Sequence, residues 1–173
     1  QEKLLAMTGE IAGAPQNIFS MLTKVDMKFP NIRNEKDEEV PLTEASYGTF
    51  IRSANRRVRK DAFTSLFETY TAYGSTLAAT YSGSVKGDLF TARARGFATA
   101  VEASLFPDEI PLSVYDNLIS VIHESLPALN DYIALRKPAM NLDEVHLYDL
   151  YASMLDDYDM HLPYPDAYQM VME

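Results

Sequence analysis

His123-Glu124-Ser125-Leu126-Pro127 is the stretch whose residue types and spacing come nearest to chemistry. It falls one residue short of H-E-x-x-H, in which two histidines one helical turn apart grip a zinc ion and the glutamate activates a water. The second ligand position holds Pro127, which has no atom able to coordinate, so the stretch reads as a structural helix end. His146 and His161 complete the three histidines, and neither has a second histidine three or four residues away. Both read as surface or packing residues. Asp156, Asp157 and Asp159 imitate the start of a calcium loop. Counting from Asp157, however, Leu162 stands where the loop needs glycine and Tyr168 where it needs the final glutamate. A solvated acidic loop is the better reading. The sequence contains no G-x-S-x-G elbow, phosphate-binding loop or dinucleotide fingerprint. With no cysteine, it offers no disulfide framework and no thiolate nucleophile or ligand. We therefore assign no catalytic residue and no metal ligand from the residues themselves.

Charge narrows the partners. The 173 residues carry 25 acidic against 15 basic side chains, a net charge of −10 that repels phosphate backbones. Nucleic acid is thereby a poor partner. The local exception is Arg52, Arg56, Arg57, Arg59 and Lys60, which has no interleaved aromatic to stack on bases and reads as a solvated cationic helix start. The cations just after Asn55, the expected N-cap, oppose the helix dipole. Either Asp61, Glu68 or a neighbouring carboxylate offsets them, or they await an anionic peptide terminus. No apolar run approaches the ~20 residues of a membrane-spanning helix, which with the missing cysteines points to a soluble, cytoplasmic chain without a membrane partner.

The elements that would position these residues are mostly helical. Val58, Ala62, Leu66, Tyr70, Tyr73, Leu77, Tyr81 and Val85 recur at steps of three and four, which keeps one apolar stripe along a helix over residues 55–86. Arg59, Thr64, Glu68, Thr71 and Lys86 are expected to fill its polar side. Residues 2–12 and 15–25 form two short helical pieces broken at Gly13-Ala14-Pro15, the second burying Ile18, Phe19, Leu22 and Val25. Residues 27–43 make a small β-hairpin whose Pro30 and Pro41 confine it to edges, and residues 43–53 suggest a further helix. Gly74, Gly83 and Gly87 weaken the long helix and permit close crossings or a bend near Gly87. Helical runs follow over 89–105, with Phe90, Ala94, Phe97, Val101 and Leu105 on one face, then 112–125, with Val114, Leu118, Ile119 and Ile122 facing inward, then 129–137 after Pro127. The expected fold is mainly α, multi-helical, with one long central helix and a hairpin near residues 27–43. Neither end looks native: the chain opens without Met and stops inside a helical start that lacks Gly or Pro, as expected of an excised fragment.

Six stretches carry a family resemblance. They are Phe19-Ser20-Met21-Leu22 with Asp26-Met27-Lys28-Phe29; Arg59-Lys60-Asp61-Ala62-Phe63; Leu77-Ala78-Ala79-Thr80 with Gly83-Ser84-Val85-Lys86; Ala92-Arg93-Ala94-Arg95; the run from Ile110 to Leu118; and the run from Leu142 to Tyr151. In this order they closely resemble the amino-terminal part of oligoendopeptidase F, a zinc peptidase related to thimet oligopeptidase. The resemblance implies a helical, two-lobed cytoplasmic enzyme that hydrolyses short peptides in a deep channel. It also implies that zinc is held by an H-E-x-x-H helix and a later glutamate, both beyond this chain. Residues 1–109 would then be the amino-terminal lobe, and 110–173 the beginning of the catalytic domain, cut before the zinc motif. Tyr148, Asp149 and Tyr151 match the family's Y-D-x-Y stretch and are candidates for the substrate-facing wall. On this reading the fragment is inactive alone, takes no zinc, and leaves apolar faces where the missing carboxy-terminal half docks, so it can self-associate. The competing reading is a complete helical protein-interaction module.

Overall fold

The computed structural model describes residues 8–9, 11–155 and 162–172. Helix α1 (Ala14–Met21) starts with Pro15 in its first turn, where a missing N–H costs nothing, and ends in a π-helical turn, Leu22–Asp26. Strands β1 (Asn31–Arg33) and β2 (Glu39–Pro41) pair antiparallel with Ile32 opposite Val40. Asn34 builds the turn between them: its Oδ1 accepts from the Lys36 and Glu38 amides at 2.9 and 3.0 Å, while Asp37 sits at φ 62°. The pleat turns Ile32 inward, where it meets Leu42, Ala62 and Leu66 in the core, with Phe29, Val40, Tyr47, Phe50 and Tyr70 packed around them.

Thr43 and Ser46 form a reciprocal cap on α2 (Glu44–Phe50), and the Asn55 side chain caps α3 (Arg56–Ala72) as expected. The stripe over 55–86 is real, but it runs over two helices. At Tyr73 (φ −98°, ψ 12°) the amide bonds back to the Tyr70 carbonyl at 3.1 Å, closing a tighter turn, and α4 (Gly74–Ala94) starts at the next residue. A step of three residues fits both a continuous α-helix and one tightened turn, so periodicity does not register the break. Gly87 does not interrupt the helix: α4 runs on to Ala94 and stops before Gly96, whose φ of 84° suits a residue without Cβ. The expected run over 89–105 is accordingly split, its second half being α5 (Ala100–Leu105), capped by Thr99 and Glu102. After a 3₁₀ turn (Phe106–Asp108), α6 (Leu112–Ala139) passes through Pro127, where a stop had been expected. Proline inside a helix removes one hydrogen bond, but helix formers on both sides, Leu126, Ala128 and Leu129, carry the helix past it. A second 3₁₀ turn (Leu147–Asp149) and α7 (Tyr164–Met172) complete the described elements.

Burial is concentrated at one end. Val58, Ala62 and Leu66 of α3 are buried, whereas Tyr81, Val85 and Phe90 of α4 are exposed. Of the inward face expected for α1, Leu22 is buried and Ile18, Phe19 and Val25 are not. Val114, Leu118, Ile119 and Ile122 of α6 are likewise exposed, contrary to their expected inner position. Correct periodicity places these residues on a common face; it does not supply the partner that covers the face.

Candidate functional site

The 3₁₀ turn Leu147–Asp149 docks against the start of α3, and Asp149 is the residue that fixes it. Its side chain is 0% exposed. Oδ1 accepts from Arg56 Nε at 3.1 Å and Arg59 Nη2 at 2.9 Å; Oδ2 accepts from Arg56 Nη2 at 2.9 Å and the His146 amide at 3.0 Å. Burial pushes the Asp149 carboxyl up, but the bonds from Arg56, Arg59 and the His146 amide outweigh it and hold the pKa down at about 2. Arg59, 2% exposed, also donates to the Ser53, Ala54 and Tyr148 carbonyls, so its buried charge is paired and its donors are satisfied. Arg136 near the end of α6 is equally buried at 2% and donates to the Asp149 carbonyl at 2.9 Å and to that of Ala152. Three guanidinium groups from α3 and α6 thus grip one turn.

Arg59 was expected on the polar surface of its helix, and the basic run around it was read as solvated. For Arg56 and Arg59 that reading is corrected: the carboxylate that offsets the helix dipole is Asp149, ninety positions along the chain from Arg59. Only Arg57 takes the local partner foreseen, Asp61, at 3.1 Å. The unfavourable charge placement at the α3 N-terminus was the one sequence signal for this contact. Arg136 gave none.

The candidate wall residues divide by exposure. Tyr148 is buried at 9%, stacked on His146 with centroids 4.9 Å apart and edge-on to Phe63 at 5.9 Å. Tyr151 is 60% exposed, with the Arg52 guanidinium 5.9 Å from its ring centroid. Two grooves flank that pair. One, of about 470 Å³, is lined by Arg52, Arg56, Ala152, Ser153 and Met154; the other, of about 430 Å³, by Ile51, Phe63, Phe67, Leu150 and Tyr151, with Arg52 at the edge of both.

His123 lies on the exposed middle of α6, and Pro127 is one turn further along the same helix. Among the described residues no group of three or more His, Cys, Asp or Glu side chains is placed to hold a metal ion. His161, Asp156, Asp157 and Asp159 lie outside the described residues. The described residues do not fit a catalytic metal, which needs three protein ligands and an open position. Among the described residues no helix is long and apolar enough to cross a membrane.

The described body is mostly helical with one small hairpin and two grooves beside Arg52 and Tyr151, and comparison with known proteins gives its class. The family model described as Peptidase family M3 matches residues 49–173, and that described as Oligopeptidase F matches residues 1–29. The chain belongs to peptidase family M3, whose members are generally metal-dependent. It is 44% identical to Oligopeptidase PepF of Bacillus subtilis over 167 residues, 96% of this chain and 25% of that protein. It is 36% identical over its whole length to an oligoendopeptidase F homolog of Lactococcus lactis, covering 29% of it. The crystal structure of oligoendopeptidase-F from Enterococcus faecium superposes with a TM-score of 0.89 at 40% identity, over 92% of this chain and 31% of that one. The chain therefore spans between a quarter and a third of the length of these relatives.

Proposed function

We propose that this chain is the scaffold and part of the channel wall of a cytoplasmic zinc metalloendopeptidase that hydrolyses short peptides, and that it is inactive alone. The observation that carries the proposal is the superposition on oligoendopeptidase-F over 92% of the chain, taken with a set of described residues that fits no metal. The remainder of the parent protein supplies the zinc ligands and the water-activating glutamate; this chain supplies shape. Residues 1–109 serve as the amino-terminal lobe and 110–173 open the catalytic domain. Within the turn that joins them to α3, Asp149 holds the backbone from behind while Tyr151 presents its ring to the substrate side; Tyr148 backs it from the core. A wall of this kind excludes folded proteins and admits extended peptides, which present backbone and side chains to two flanking grooves.

The test is the parent enzyme. Its reading frame should encode H-E-x-x-H downstream of this sequence, and the purified protein should cleave a peptide of about ten residues and leave a folded protein of the same sequence content intact. A parent with no such motif and no peptide turnover contradicts the proposal and returns the chain to an interaction role.

A further inference from the structure

Arg52 differs from the arginines around it. Arg56 and Arg59 are committed to Asp149, Arg57 to Asp61, and Arg136 to two carbonyls. Arg52 forms no ion pair among the described residues, in a chain with 25 acidic side chains. It is nonetheless held in place. Nη1 donates to the Gly48 carbonyl at 2.7 Å, and the guanidinium lies over Tyr151. A guanidinium fastened through one nitrogen and facing a ring in a cation–π contact keeps its other N–H donors in the planar fork that matches a carboxylate. The contact also lowers the entropy lost when the fork is used. Its position is equally specific, at the divide between a groove bearing Arg56 and Arg59 and one lined by Ile51, Phe63 and Phe67. The first groove is lined by Arg52, Arg56 and Arg59; Asp149 is buried against the last two and Asp143 also acts on Arg56, which leaves Arg52 as the one of the three without a carboxylate partner among the described residues.

We infer that Arg52, braced by Tyr151, takes a carboxylate of the peptide that lies along these two grooves. The inference rests on the peptidase reading and deepens it by naming a specificity-determining residue. The carboxylate has two sources, the peptide's own carboxy terminus or an acidic side chain, and three peptides separate them: one with a free terminus and one Glu, its carboxy-terminal amide, and its Glu→Gln version.

The experiment measures KM and kcat of the full-length parent on all three, with R52Q, R52K and Y151L beside it. The parent should prefer the first peptide over one of its two neutralised partners by about tenfold, carried by KM, as one charge-assisted bidentate contact provides. R52Q should bring that ratio to within about twofold of one; R52K, a point charge without the fork, and Y151L, without the brace, should lower it partway. A ratio that survives R52Q overturns the inference, as does an R52Q loss equal on all three peptides, which marks a structural role. A parent that cleaves all three alike overturns the carboxylate site alone, whereas one that cleaves none overturns the peptidase reading and the site with it.

Discussion

Removing the Asp149 carboxylate leaves the buried guanidinium of Arg59 without a counter-charge and the His146 amide without its acceptor. Breaking a buried pair from one side costs about 3–5 kcal/mol, because the remaining charge cannot return to water. D149A should therefore lower the unfolding free energy of the chain, measured by urea denaturation, by that much, while R57Q, which breaks an exposed pair with Asp61, should stay within about 1 kcal/mol of wild type. The pH dependence has a definite sign. The folded carboxyl sits at about 2 against an ordinary 3.8, so its contribution is fully present above about pH 4 and disappears as pH falls toward 2. Urea titrations of wild type and D149N should thus converge by roughly 2 kcal/mol between pH 5 and pH 2; a constant gap would show that the carboxylate is not held as described. This residue also marks how far the sequence could be read. Tyr148, Asp149 and Tyr151 were legible as a group from a motif, but the motif does not say which of them faces solvent. The answer lies in Arg59 and Arg136, which reach the turn from two helices, and a one-dimensional pattern carries no such distance.

At the scale of elements, the close approach of α1 and α4 turns on one missing side chain. A Cβ at Gly83 would meet Pro15 Cγ at 3.1 Å, tighter than carbon atoms pack comfortably, and Pro15 lies in the rigid first turn of α1. At Gly87, one turn further along α4, a Cβ would meet nothing within 4 Å. The two alanine substitutions should then differ in effect. G87A should stabilise by up to about 1 kcal/mol through helix propensity, and G83A should offset that gain or lose stability by separating the helices. Equal stabilisation by both in chemical denaturation would mean that α1 does not rest on α4 as described. The hairpin, the Asn55 cap and the buried start of the stripe were legible because each is decided within a few residues. The break at Tyr73 and the passage of α6 through Pro127 were not, since both depend on which of two nearly equal local geometries the wider packing selects.

For the whole molecule, the apolar side chains of α6 are the feature that most needs a partner. Leu118, Ile122, Leu129 and Leu135 are all at least half exposed, an apolar display larger than a solitary domain usually tolerates. Relatives three to four times as long carry additional chain able to cover it. Without that cover, light scattering of the 173-residue chain should show concentration-dependent association; a monomer at high concentration would count against an uncovered docking face. The central claim, that this chain is structure for a peptidase and performs no hydrolysis itself, is tested most directly by turnover of a quenched fluorescent peptide with the chain alone, beside the full-length parent. The account predicts cleavage by the parent and none by the chain at any added zinc concentration. Turnover by the chain that disappears in H123A would contradict it.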